Sequence, residues 1–167
     1  MALKNNFIWS QKFNCLRLIG NGVRAFLNGQ TTSNCLLPGY GQYVQTCWLN
    51  SAGSVRALLE LRFDEIGADV LVLAGEFDTL LKELEKTIFP ADKVKIYSTS
   101  KILRLEDLPF DLDQRFMEPE WILPGESIPK ELDELDYLSL EDFEKRRIIQ
   151  GIPLSPLEID GTNNPFE

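Results

Sequence analysis

The sequence contains no histidine. That absence removes every His-dependent catalytic triad, the commonest general base, and any zinc site built from mixed cysteine and histidine ligands. Proton transfer in this chain would have to use carboxylates, lysine, tyrosine or cysteine. Cysteine is scarce too: Cys15, Cys35 and Cys47 are odd in number and their spacing fits no metal pattern. They read as buried free thiols of a reducing compartment. No apolar run approaches the ~20 residues that span a bilayer. The opening residues, MALKNNFIWS, lack the apolar core of a signal peptide. The expected compartment is the cytoplasm, or an organelle matrix if an import sequence has been removed. A Gly-rich phosphate loop is also missing: Gly20 and Gly22 precede a helix, but the run continues as Val23-Arg24 and not as a dinucleotide fingerprint.

What is present suits one globular core. The chain has 167 residues, 44% hydrophobic and 26% charged. Its net charge of −9 is uneven. Residues 1–100 carry 10 basic and 9 acidic side chains, whereas 101–167 carry 7 basic and 17 acidic. The acidic half would repel a phosphate backbone, so nucleic acid is a poor partner. The clustered carboxylates Asp133, Glu134 and Asp136 fit no calcium loop and read as a solvated surface.

Periodicity outlines the elements. Cys15–Ile19 reads as a short strand, followed by a helix capped by Asn21, with Val23, Phe26 and Leu27 buried and Gly29 as its stop. Gln42–Leu49 and Val55–Phe63 read as a hairpin around the turn Asn50–Gly53. In its second strand Val55, Ala57, Leu59, Leu61 and Phe63 take the core side and Arg56 and Arg62 the other. Asp69–Leu73 adds a third strand, making a meander. Glu76–Ile88 is an amphipathic helix, Pro90 marks its end, and Lys93–Ser98 is another strand. Residues 106–136 change character: eleven acidic and two basic residues, with Pro109, Pro119, Pro124 and Pro129, read as an excursion with little core of its own and one short strand at 121–123. Ser139 with Asp142 resembles a capping box for a helix over Leu140–Gln150, closed by Gly151 and Pro153. The pattern is α+β, an antiparallel meander packed against helices.

No residue group forms a strong catalytic or metal motif. Arg56 is a candidate carboxylate clamp, for example for a glutamate tail, with a surface ion pair as the plain alternative; Arg62 is weighed in the same way. Phe13 and Phe143 are candidates for stacking on a flat heterocycle, and on spacing alone each is a core residue.

The segment RLIGNGVRAFLNGQTTSNCLLPGYGQYVQTCWLNSAGSVRALLELRF resembles the opening of the glycine-cleavage T-protein and YgfZ superfamily. The matching features are Leu18-Ile19-Gly20, Phe26-Leu27, Gly29-Gln30-Thr31-Thr32, Leu49-Asn50 and Gly53. The helix EFDTLLKELEKTIFPADKVKI continues the likeness, as do Arg147-Ile148-Ile149-Gln150-Gly151-Ile152-Pro153 and Thr162-Asn163-Asn164-Pro165. The resemblance covers most of 13–100 and 140–167. It implies a partial, truncated glycine-cleavage-T-like folate-binding domain over 1–167, with an acidic excursion at about 106–136 and tetrahydrofolate as cofactor.

Departures favour the YgfZ branch over an active aminomethyltransferase. The acidic pair that orients the folate amine in the transferases falls here on Arg56 and Ala57, and their pterin-binding Glu falls on Ile149. Both losses disfavour methylene transfer. The branch's flanking aromatic positions fall on Phe13 and Phe143, Phe replacing the usual Trp, which keeps stacking and loses an indole donor. YgfZ-like proteins are implicated in maintaining iron–sulfur proteins and, indirectly, in tRNA modification, so iron–sulfur proteins are the implied clients. The hallmark Lys-Gly-Cys-Tyr element and the C-terminal barrel are absent from this sequence. The alternatives are a non-enzymatic interaction module, a fragment of the longer protein and, against the two losses, an aminomethyltransferase. The expected pocket has the hairpin Gln42–Phe63 beneath the two long helices as one wall.

Overall fold

The structure, a computed structural model, describes residues 6–109, 119–153, 158–159 and 162. Its elements run β1 (Asn6–Ile19), α1 (Val23–Gln30), β2 (Tyr43–Leu49), β3 (Val55–Phe63), β4 (Gly67–Gly75), α2 (Phe77–Thr87), a 3-10 turn at Pro90–Asp92, β5 (Lys95–Pro109), β6 (Glu120–Ile122), α3 (Lys130–Asp133), β7 (Asp136–Tyr137) and α4 (Leu140–Gln150). This is an α+β architecture in which β1–β4, β2–β3, β3–β4 and β5–β6 pair antiparallel and β1 pairs with β7 in parallel. The chain divides into two compact units. The larger is Asn14–Ser100 with Leu154–Glu167, and the smaller is Met1–Phe13 with Lys101–Pro153. Strands β1 and β5 each contribute residues to both.

In the larger unit the strand order is β2-β3-β4-β1, the expected meander with β1 beside its last strand. Alternation sends Leu16 and Leu18 of β1, Leu59, Leu61 and Phe63 of β3, and Ala68, Val70 and Val72 of β4 into one core with Phe26, Leu27, Trp48, Leu80 and Leu84. Each large side chain removed from water there contributes about 1.5–3 kcal/mol. Helix α2 lays Leu80 and Leu84 on that core, with Phe77 and Leu81 partly buried beside them. Helix α1 buries Val23, Phe26 and Leu27 as expected. Its start and stop differ from expectation. Gly22, not Asn21, is the N-cap, without a side-chain cap, and Gly29 lies inside a helix that runs on to Gln30.

The Thr31–Cys35 segment covers the edge of β2. Thr32 N–H donates to the Cys47 carbonyl (3.1 Å), Cys47 N–H donates to Thr32 Oγ1 (3.1 Å), and Ser33 Oγ donates to the Gln45 carbonyl (2.9 Å). Those bonds occupy backbone groups that an open edge would offer to another chain. Arg24 braces the following loop, donating to the Cys35 carbonyl (3.0 Å) while its guanidinium lies 4.3 Å from the Phe63 ring centroid and 5.5 Å from that of Tyr40.

In the smaller unit β6 pairs with β5 and β7 with β1. Ile8, Leu105 and Ile122 form its apolar cluster, backed by Leu103, Ile128, Leu132 and Leu135. The acidic stretch therefore does have core: Leu108, Trp121 and Ile122 are buried, and so is Glu106. The expectation of an excursion with little core fails because its apolar residues are spread among prolines and carboxylates, too sparsely to show a period. Residues 110–118 of that stretch lie outside the described residues, as does 163–165 of the Thr162–Pro165 element. Strand β1 begins at Asn6, well before the expected 15, and β5 runs on to Pro109, well past the expected 98. Helix α4 has the expected bounds, and its Ser139 cap accepts from Asp142 N–H at 3.1 Å. No helix among the described residues is long and apolar enough to cross a membrane.

Candidate ligand-binding site

Helix α4 is amphipathic in the reverse sense. Its buried face carries Phe143, Arg146 and Arg147, with Arg146 only 1% exposed. Its outer residues include Ile148, 67% exposed, and Ile149, 60% exposed. A helix that buries arginine and exposes isoleucine is not arranged for burial of apolar area alone, since a buried guanidinium is costly unless paired.

Strand geometry shows what shares that environment. On β1, Ile8 joins the apolar cluster, so Trp9 and Phe13 take the opposite face. On β5, Leu103 and Leu105 face the same cluster, so Arg104 and Glu106 take the other face, and on β6 Trp121 alternates with Ile122. The two rings sequence reasoning singled out meet through Trp9. Trp9 and Phe143 are stacked, centroids 4.0 Å apart and planes 4° from parallel, and Trp9 and Phe13 are tilted at 57° and 6.3 Å. All three rings are buried. Arg104 and Glu106 form a buried ion pair. The other carboxylate oxygen of Glu106, Oε2, is buried with no hydrogen-bond partner among the described residues. Arg147 donates to Glu144 at 2.8 Å and to the Ile152 carbonyl at 3.3 Å.

This aromatic–arginine layer was half visible in the sequence. Phe13 and Phe143 were singled out; Trp9, Arg104, Glu106, Trp121 and Arg146 were missed. A signal did exist. Positions 143, 146, 147 and 150 are one helical face, and its polarity, opposed to Ile148 and Ile149, marks an unusual helix. Ile149, aligned with a pterin-binding Glu, is on the exposed side.

Arg56 belongs to the larger unit. The sequence placed it opposite the core side of β3, and the structure corrects that. Trp48 pairs with Ala57 and Leu49 with Val55, so Arg56 is the extra residue of a β-bulge. The bulge breaks the alternation. Val55 turns to a small cluster with Ala74 and Ile159, while Ala57 stays in the main core. Arg56 reaches α2, its Nε 3.8 Å from Glu83. Gly75 makes room for the bulge: it has φ +109°, and a Cβ there would lie 2.5 Å from the Arg56 carbonyl oxygen. Arg62 keeps the expected face and joins a charge network in which Arg17 pairs with Asp64 (2.6 Å) and Asp69 (3.4 Å), and Arg62 with Asp69 (3.7 Å).

All three cysteines are free thiols, Cys15 and Cys35 buried and Cys47 half-buried. Burial pushes the Cys15 thiol up to about 12, with Asp69 adding to the effect. Burial also raises Cys35 and Cys47. No group of metal-ligating side chains occurs among the described residues. The arrangement has the chemistry to hold a planar, anionic or hydrogen-bonding ligand.

No protein-family model matches the chain, and no curated protein matches it. Among solved structures, it is similar to glycine cleavage system aminomethyltransferase T from Bartonella henselae, with a TM-score of 0.47 and 19% identity, over 61% of this chain and 29% of that one. The chain spans less than a third of that protein's length.

Proposed function

We propose that the chain is a folate-binding protein of the YgfZ type, one that holds tetrahydrofolate without transferring its methylene group. The observation that carries the reading is the meeting of Phe13 and Phe143 at Trp9 in a layer that also buries Arg104, Glu106 and Arg146. Flat rings stack on flat rings, and each such contact is worth about 0.5–1.5 kcal/mol beyond area burial. The Glu106 acceptor that has no hydrogen-bond partner among the described residues suits an N–H donor at the edge of a pterin, and the arginines suit an anionic ligand. Trp9 already covers Phe143, so a pterin entering between them displaces the indole. In this reading Phe13 and Phe143 receive the ring, and Arg56, which lies in the larger unit, is given no part in holding it.

The finer role, maintenance of iron–sulfur proteins and through it tRNA modification, follows from the sequence resemblance, with iron–sulfur proteins as the clients. Methylene transfer is disfavoured by Arg56 and Ala57 at the positions of the acidic pair, Ala57 being fully buried. The test is calorimetric titration of the full chain with tetrahydrofolate, beside the Phe143→Leu variant. Saturable binding that weakens about three- to tenfold in the variant is expected. A folded chain that binds no tetrahydrofolate ends the proposal.

A further inference from the structure

The sheet of the larger unit has two sides along which another strand could add, and the chain leaves them in different states. At β2 its own segment 31–35 bonds to the strand edge through Thr32 and Ser33. At the far side, strand order places β5 beyond β1. Strand β6 pairs with β5 at Leu103, Arg104 and Leu105, and among the described residues no strand or loop pairs with the outer side of residues 95–100. A row of unpaired backbone N–H and C=O groups is a template for another extended chain.

The side chains of that row suit a recruited strand. Ile96 packs against the main core, so Lys95, Tyr97 and Thr99 take the opposite face. Lys95, Tyr97, Ser98, Thr99 and Ser100 are all exposed, Tyr97 by 71%. Isoleucine, tyrosine and threonine favour extended backbone. Residues 93–100, KVKIYSTS, hold two lysines and no acid, and both lysines are exposed.

We propose that residues 95–100 are a docking edge for an acidic, extended peptide of a partner protein, which adds to the sheet beside β5. Backbone hydrogen bonds hold the added strand, and Lys93 and Lys95 select one that carries carboxylates. The lysines also decide against a second copy of this chain. Two β5 edges paired in parallel and in register set Lys95 beside Lys95, and antiparallel pairing centred on Ser98 sets Lys95 opposite Lys101. Like charges opposed across a sheet are destabilising. Lysine on an edge strand thus guards against indiscriminate pairing, and the same charge admits an acidic partner. The docking residues belong to the larger unit and take no part in the folate reading.

The experiment titrates the full chain with three end-capped octapeptides, followed by NMR at the backbone amides. One peptide alternates valine with glutamate and one alternates valine with lysine. The third is the glutamate peptide N-methylated at every residue, which keeps its charge and has no backbone donor. The glutamate peptide is expected to bind saturably, with amide shifts and slowed amide exchange centred on 95–100. The other two peptides should bind at least roughly tenfold more weakly, and Lys95→Glu should weaken the glutamate peptide by about the same factor without moving the urea midpoint. The proposal is overturned if the glutamate peptide does not bind at millimolar concentration, if its shifts centre elsewhere, if the N-methylated peptide binds as well, or if Lys95→Glu binds like the parent chain. It is also overturned if sedimentation shows a dimer whose formation slows exchange at 95–100, since a second copy is then the occupant.

Discussion

The two units bury different things. The larger one hides leucine, valine and phenylalanine beneath a meander and keeps an outer charge network of Arg17, Arg62, Asp64 and Asp69, while it buries the Glu60 carboxylate with Gln45 donating to it at 3.1 Å. The smaller one has an apolar cluster on one face and, on the other, tryptophan and phenylalanine rings with arginines and a glutamate. Apolar burial is a sufficient reason for the first arrangement to exist. It is not sufficient for the second, because desolvated charge brings little net stability. The contrast is why the smaller unit is read as a binding layer and the larger one mainly as a scaffold with one re-aimed arginine.

Equivalent cuts in the two units should give unequal results. Glu106→Ala removes the buried partner of Arg104 and is expected to cost about 3–5 kcal/mol in urea unfolding. Asp64→Ala cuts an ion pair whose carboxylate is 49% exposed, and should cost far less. Equal losses would break the contrast. Gly75→Ala tests the bulge. The strained φ and the close Arg56 carbonyl should cost about 1–3 kcal/mol in urea unfolding. Ser139→Ala removes the α4 cap and is expected to cost about 1 kcal/mol, measured the same way.

The smallest effect is one of pH. Burial by itself would raise the Asp64 carboxyl. Hydrogen bonds from Ile66 N–H, Arg17 and Gly67 N–H, together with the Arg17 charge, outweigh it and hold Asp64 below the usual carboxylate range. The folded state therefore favours the ionised form. Its contribution is present above the ordinary carboxylate value of about 4 and is lost as pH falls through the lowered one. Asp64→Asn should flatten the acid limb of the stability curve slightly and leave neutral pH behaviour nearly unchanged.

The same contrast explains what the sequence made legible. Where one face is apolar and the other polar, as in Val70 against Asp69 or Leu80 and Leu84 against Lys82, periodicity gave both the element and its buried side. It placed β2, β3, α2 and α4 within a residue or two. It failed where a local irregularity broke the period. Arg56 and Val55 exchanged faces because one bulge residue shifts the alternation, and no residue type announces that bulge. It failed again where the buried side is polar: Arg104 and Glu106 look like surface residues, and Arg146 looks like the outside of a helix. Phe13 and Phe143 were found, but Trp9, which joins them, was not, because β1 was expected to begin only at Cys15.

The motifs behind the family resemblance also have structural duties. Thr31 Oγ1 donates to the Leu27 carbonyl (2.7 Å) at the end of α1, and Thr32 covers the edge of β2. Gly151 ends α4 in the left-handed conformation, and Ile152 N–H returns to the Arg147 carbonyl at 2.9 Å. Such elements record how this chain folds. The ligand claim rests instead on the layer around Trp9.

That claim is tested most directly by the NMR signals of the tryptophan indoles while a pterin lacking the glutamyl arm is added to the full chain. Opening of the stack predicts a large, saturable shift of Trp9, with Trp48 unmoved and the Trp9 response lost in Phe143→Leu. A Trp9 signal that stays fixed as the pterin reaches millimolar concentration would contradict the account.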